Sequence, residues 1–237
     1  MDQLVYRWDT AVDHRAVFAR SYRAITVRME RAVAEGAFED NRWMEVLDVR
    51  FAEAYFDALT AHESGEGAVP ACWKLAFDLA RERRTLVLQD LLLGMNAHIL
   101  HDLPISLYEV GLAPDERERR RRDHERVNEV LSGMIDEVQR DLSRQYSAAL
   151  GFLDRAYRLK DELLTDAGIR LARAKAWRLA LSLADAPDGS RRAAIVRELD
   201  RVTTLASSLI VPPRTRLAGL VPALRRWDRT LAVLLRR

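Results

Sequence analysis

The chain lacks several things that would make its reading easy. It has one cysteine, Cys72, in 237 residues, which excludes an internal disulfide framework and a metal centre built from several cysteines of one chain. No apolar run approaches the ~20 residues that a membrane-spanning helix needs. No basic start followed by an apolar segment opens the sequence, so the expectation is no secretory signal and a reducing, cytoplasmic setting. Glycine and proline are scarce, at 10 and 7 residues. No P-loop, GxGxxG after a strand, HExxH or GxSxG motif occurs, and the paired ExxxH motifs of a four-helix di-iron protein are missing.

What is present points to helices. The chain is 49% hydrophobic and 31% charged, rich in Ala, Leu, Arg and Glu, and its apolar residues recur at helical spacing almost throughout. The expected fold is all-α: a compact helical bundle over residues 1–185 with an internal polar pocket, and basic C-terminal helices over 190–237 packed on it. The first helix is expected from Ala11 to Glu35, stopping at Gly36. A second starts at the N-cap Asp40 and turns Trp43, Val46, Leu47, Phe51, Ala54 and Leu59 inward. After the loop "SGEGAVP" (64–70) a helical region runs to Leu103, bent near "RERR" (81–84) and ended by Pro104. A long helix starts near Asp115 and reaches Tyr146. Another covers Asp161 to Ala184, and "DAPDGS" (185–190) is a linker with Ser190 as a cap. Two further helices follow, separated by "VPPR" (211–214).

Net charge is +2, unevenly distributed: residues 190–237 hold eleven arginines against three acids. A basic end suits an anionic surface or nucleic acid, but its simpler reading is a solvated helical face, so no specific nucleic acid is expected as partner. "DERERRRRDHER" (115–126) alternates both signs and is charge-laced rather than polybasic.

The stretch that demands explanation is "LLLGMNAHILHDLP" (91–104). It is apolar nearly all round, as a helix inside a bundle should be, yet it carries His98, His101 and Asp102. Asp90, Gly94, His98 and Asp102 follow an i, i+4 progression along one side of a helix. An unpartnered buried carboxylate would shift its pKa until neutral, so a cation, a histidine or a substrate must face it. His98 and Asp102 can jointly approach one divalent metal ion, with His101 beside them and Gly94 leaving room, or serve as a general acid/base pair. The alternative is a structural pair capping the helix end near Pro104. On the following helix Asp123 lies on one flank of the Val127–Met134 stripe and His124 and Asn128 on the other, within reach of the same pocket. Their alternative roles are flank solvation and, for the acid, complementing the helix dipole. Asn128, Ser132 and Asp136 have the spacing of the magnesium triad in class I terpene cyclases. Ser132 and Asp136, however, point away from the apolar stripe and no DDxxD motif accompanies them, so this stays a minor alternative. His14 and His62 lie in polar, exposed-looking surroundings and receive no role. Trp73 and Trp177 read as core.

Taken together, "LDVRFAEAYFDAL" (47–59), "LQDLLLGMNAHILHDLP" (88–104), "DHERVNEVL" (123–131) and "ARAKAW" (172–177) resemble an actinobacterial all-helical family catalogued as a domain of unknown function. The resemblance spans roughly residues 20–185. It matches His98, Asp102, Asp123, Asn128, Arg173 and Trp177, and departs at Asp90, where a His is usual, and at His124, where an aromatic is usual. It implies no reaction, although secondary metabolism is the setting it suggests. The functional expectation is an enzyme acting on a small, partly apolar molecule. His98, Asp102, Asp123 and Asn128 would be its catalytic residues, Arg173 and His124 would bind substrate, and His98, Asp102 and His101 would hold a divalent metal if one is used. A non-catalytic helical binding or scaffold protein is the rival, and a homodimer is left open.

Overall fold

A computed structural model describes residues 1–134, 137–138, 140 and 165–211. The described residues are all-α, with no strand among them. In chain order they form α1 (Asp2–Thr10), α2 (Arg15–Ala34), α3 (Asn41–Ser64), α4 (Ala71–Arg81), α5 (Val87–Ala97), one π-helical turn (His98–Asp102), α6 (Leu103–Glu109), α7 (Arg117–Val130), α8 (Asp166–Ala184) and α9 (Gly189–Ile210). No described helix is long and apolar enough to cross a membrane.

The helix boundaries follow local chemistry, with several departures from the sequence reading. The first helical region is broken: α1 closes before residues 11–14, where Val12 takes a positive φ of 54°. The Asp13 carboxylate then accepts from the Arg15 backbone N–H at 3.0 Å and starts α2. Asp40 is the expected N-cap, accepting from the Trp43 N–H at 3.1 Å, a contact worth about 1 kcal/mol. Val46, expected inside, is 50% exposed, whereas the stripe that turns inward is Met44, Leu47, Phe51 and Tyr55. α4 and α5 are separate helices, since Arg83 adopts a φ of 50° at the "RERR" bend. At the "DAPDGS" linker the cap is Asp188, accepting from the Arg191 N–H at 2.8 Å, and not Ser190. Only part of the expected 115–146 helix, of the 161–184 helix and of the basic end lies within the described residues.

Pro104 does not end its helix. The chain passes through the π turn, in which the Leu103 N–H bonds the His98 carbonyl five residues back, and continues as α6 with Pro104 in its first turn. Proline brings no N–H and its ring collides with the carbonyl of the previous turn. A wider π turn just ahead of it relieves that conflict without stopping the helix.

Two apolar clusters form the core. One joins α1, α2, the C-terminal half of α3, α4 and α5 around Phe18, Tyr22, Tyr55, Trp73 and Leu93. The other joins α3, α6, α7 and α8 around Met44, Leu47, Leu103, Val127 and Trp177. α9 packs across α4, α5 and the π turn. The π turn therefore stands where both clusters and the last helix meet.

Candidate functional site

A cavity of about 100 Å³ opens where the two clusters meet, with both contributing to its wall. α2 supplies Phe18, Tyr22, Ile25 and Met29, one stripe at helical spacing. α3 supplies Met44, Leu47, Asp48 and Phe51, and the walls are otherwise apolar except for His98 and Arg173. Its size falls below the ~150 Å³ of an apolar cavity that accepts benzene, so it suits a short branched chain or another group smaller than a benzene ring.

Behind His98 on this wall stands a carboxylate shared by three donors. Asp102 is 3% exposed. Its Oδ2 accepts from Trp73 Nε1 at 2.8 Å and lies 3.0 Å from His98 Nδ1, while its Oδ1 lies 2.8 Å from His101 Nδ1. Burial works against ionisation, but the hydrogen bonds from His101 and His98 more than offset it and hold the carboxyl below its ordinary range. An ionised carboxylate only accepts, so each ring nitrogen that touches it must carry the proton. In the neutral form each histidine is thereby the Nδ1–H tautomer, with its lone pair on Nε2.

For His98 that lone pair is unused among the described residues: Nε2 is buried and has no hydrogen-bond partner there. The ring stacks on Phe51, centroids 3.6 Å apart and planes 7° off parallel, and Tyr22 and Phe18 meet it edge-on. Burial lowers its pKa, which Asp102 only partly opposes, so the imidazole is neutral. Gly94 does leave room, but Phe18 fills it: a Cβ there would meet the Phe18 ring at 2.4 Å.

Two further polar groups line the cavity, and neither was singled out in the sequence. Asp48 makes no hydrogen bond among the described residues, and burial, helped by Glu30, pushes its pKa up to about 6. The Tyr22 hydroxyl is buried without a hydrogen bond of normal geometry. Burial and the Asp48 charge both raise its pKa. The signal was available: Asp48 interrupts the apolar stripe of α3 at i+4 from Met44 and i−3 from Phe51.

Arg173 occupies another part of the wall. It is 6% exposed, and no carboxylate lies within ion-pair distance of it among the described residues. Its Nε donates to Asn128 Oδ1 at 3.0 Å and its Nη2 to the His124 carbonyl at 2.7 Å, with His124 Nδ1 at 3.3 Å. His124 Nε2 donates to the Arg173 carbonyl at 3.1 Å, so this ring is the opposite, Nε2–H tautomer. Burial and then the Arg173 charge hold its pKa well below the ordinary value. Burial likewise lowers Arg173 to about 10, which still leaves it charged at neutral pH.

The expected site residues thus divide. His98 and Arg173 line one cavity, with Asp102 behind the first and His124 and Asn128 behind the second. Asp123 is elsewhere: its carboxylate accepts from the backbone N–H groups of Glu39 and Asp40 at 2.7 and 2.8 Å. It fastens the α2–α3 connection and lines an outer polar cleft shared with Arg122, Arg126 and Arg170. His101 turns away from the cavity to a different group of donors. Among the described residues the set with metal-ligand spacing is Cys72, His101 and Asp200. The terpene-cyclase triad has no structural counterpart in its described part. α7 ends at Val130, Ser132 bonds Asp166 at 3.1 Å, and Asp136 lies outside the described residues. His14 and His62 are not bare surface groups either. His14 lies 2.9 Å from buried Asp90, which also takes a hydrogen bond from Thr85, and His62 lies 2.9 Å from Asp78.

Residues 1–213 match a family described as a family of unknown function, DUF5995. The chain belongs to that family. The match extends beyond the 20–185 core of the resemblance and takes in α1 and α9. No curated protein and no solved structure matches the chain.

Proposed function

We propose that this DUF5995 member is an enzyme that moves a proton on a small, partly apolar molecule bearing one anionic group. The observation that carries this reading is His98 Nε2, a buried basic nitrogen on the wall of an apolar cavity that has no hydrogen-bond partner among the described residues. A structural histidine is normally satisfied at both nitrogens. Here only Nδ1 is satisfied, and its bond to Asp102 directs the lone pair to the other side of the ring. The pair then works as an oriented base: Nε2 takes the proton, and Asp102 stabilises the imidazolium without itself becoming protonated.

The remaining wall groups fit the same chemistry. Arg173 is a desolvated cation whose hydrogen bonds among the described residues go to neutral groups, and an anionic substituent would supply a counter-charge. Asp48, with its pKa near 6, can donate or receive a proton near neutral pH, and Tyr22 can donate a hydrogen bond to a developing oxyanion. The apolar wall favours a proton-abstraction step of lyase or cyclase type over hydrolysis. Asp102 already accepts three hydrogen bonds, which favours acid–base work over metal ligation at His98.

Binding of short branched-chain carboxylates, each paired with its neutral amide, tests the reading by calorimetry. Carboxylates should bind about tenfold or more tighter than their amides, a difference of ~1.4 kcal/mol. Equal affinity within the pairs would defeat the anion anchor. With a turned-over substrate in hand, His98→Gln should retain binding and lose roughly 10²-fold or more in kcat. Unchanged turnover in that variant would remove His98 as the base.

A further inference from the structure

The π turn presents a second histidine whose free nitrogen the acid–base reading does not use. His101 is 6% exposed, its Nδ1 is held by Asp102, and no hydrogen bond reaches its Nε2 among the described residues. Cys72, fully buried in the first turn of α4, and Asp200 from the middle of α9 complete the cluster, each offering one ligand atom within 4.8 Å of the others. We propose that Cys72 Sγ, His101 Nε2 and an Asp200 carboxylate oxygen bind one divalent transition-metal ion, zinc being the best match to this donor set.

The donor chemistry is one thiolate, one imidazole and one carboxylate, the types that zinc takes, with a fourth position left for water. Around a tetrahedral ion such atoms lie about 3.3–3.8 Å apart, from bonds of ~2.0–2.3 Å, so the cluster has to contract by roughly 1 Å. Asp200 is already placed for this. Its two oxygens accept from the Ala71 and Cys72 backbone N–H groups at 2.9 and 3.0 Å, which fixes the carboxylate and leaves lone pairs on both oxygens. Asp102 behind His101 is the outer carboxylate that commonly orients a metal-bound histidine and raises its basicity.

The charges balance. Binding converts the Cys72 thiol to thiolate and releases that proton to solvent. Thiolate, carboxylate and dication then sum to zero, which suits a buried position. Without a cation the thiol stays protonated, since burial, followed by the nearby Asp200 and Asp102 charges, pushes its pKa up. The ion would join α4, the π turn and α9. It would also meet the proposed base, because Asp102 serves both histidines: a metal-bound His101 is a stronger donor to Asp102 and so draws basicity from His98.

The test uses the full-length protein stripped with a chelator and titrated with Zn²⁺ and with Co²⁺, which requires no substrate. One ion per chain should bind, with one proton released, and Co²⁺ should give a thiolate-to-metal charge-transfer band in the near ultraviolet. Cys72→Ser should abolish that band, Asp200→Asn should weaken binding, and Asp102→Asn should weaken it by about 10- to 100-fold. His98→Gln should keep the band, which separates this site from the proposed base. Failure of the wild-type protein to take up an ion, or cobalt binding without a thiolate band, would overturn the proposal even if a variant did not fold. Retained zinc affinity in folded Cys72→Ser would do the same.

Discussion

Asp102 and Asp48 stand in neighbouring parts of one core, and the more deeply buried of the two is the one that stays ionised. Asp102, 3% exposed, is held below the ordinary carboxylate range. Asp48, only partly buried, is pushed up to about 6. Burial acts in the same direction on both. The difference is in donors: Asp102 collects Trp73, His98 and His101, whereas Asp48 collects none and faces the like charge of Glu30. Depth alone therefore does not decide the charge of an interior acid; the hydrogen bonds waiting for it do. The same contrast separates an acid that holds a base in place from one that can exchange a proton.

Replacing Asp102 with Ala gives the largest expected effect. It strands three buried donors at once, and breaking a buried charged network of this kind costs on the order of 3–5 kcal/mol. Chemical denaturation should show it as a lowered midpoint, and a loss below ~1 kcal/mol would mean that the three donors find water instead. The sign with pH also follows. A folded-state pKa below the unfolded value makes the Asp102 contribution fully present above about pH 4 and lost as pH falls through the lower folded value.

Asp48→Asn should act in the opposite direction. Its folded pKa is raised, so the folded protein binds the extra proton between the unfolded value of 3.8 and about 6. Stability should then fall as pH rises through this window, by up to about 3 kcal/mol at ~1.4 kcal/mol per pKa unit. Asn removes that penalty, so the variant should be stabilised by roughly 1–3 kcal/mol at pH 8 and hardly at all at pH 4. Melting curves at the two pH values decide it, and a variant destabilised at pH 8 would remove the contrast between the two acids.

Smaller changes sharpen the picture of the cavity itself. Gly94→Ala puts a methyl group into the Phe18 ring, and overpacking of this sort costs about 1–3 kcal/mol, offset by up to ~1 kcal/mol from better helix propensity. Net destabilisation measured by thermal melting is expected, and a stabilised variant would show that Phe18 yields freely. Tyr22→Phe removes a hydroxyl that has no well-formed partner, so its stability should stay within about 0.5 kcal/mol of the parent. A loss of 2 kcal/mol or more in denaturant titration would instead assign that hydroxyl a structural bond.

The helical class and the Asp40 cap were legible in the sequence because periodicity and capping are local. So was the oddity of His98, His101 and Asp102 in an apolar run. The helical reading was blind where partners come from far along the chain. Trp73 reaches Asp102 across 29 positions, and Asp200 reaches Cys72 across 128, distances at which periodicity carries no information. That is why Asp123, whose spacing suited the pocket, proves to be tied to the α2–α3 connection, and why His14 found an unexpected partner in Asp90. Asp48 is hidden for another reason: a single acid on a mostly apolar stripe has the pattern of a solvated edge, although it lines the cavity while Val46 faces outward.

The π turn holds one residue more than an α-helical turn would over the same rise, and this sets the rotational phase of everything after it. Removing one residue from His98–Asp102 would let the backbone relax into ordinary α-helix up to the proline. It would leave the faces of α5 and α6 in phase, whereas winding the same five residues as ordinary α-helix would turn α6 by about 100° relative to α5, swinging buried Leu103 and Leu107 off the face that packs against α8. The locally costly turn thus lets one extra residue enter the helix while the faces of α5 and α6 still agree, and a one-residue deletion there would repair the ladder and leave α6 seated.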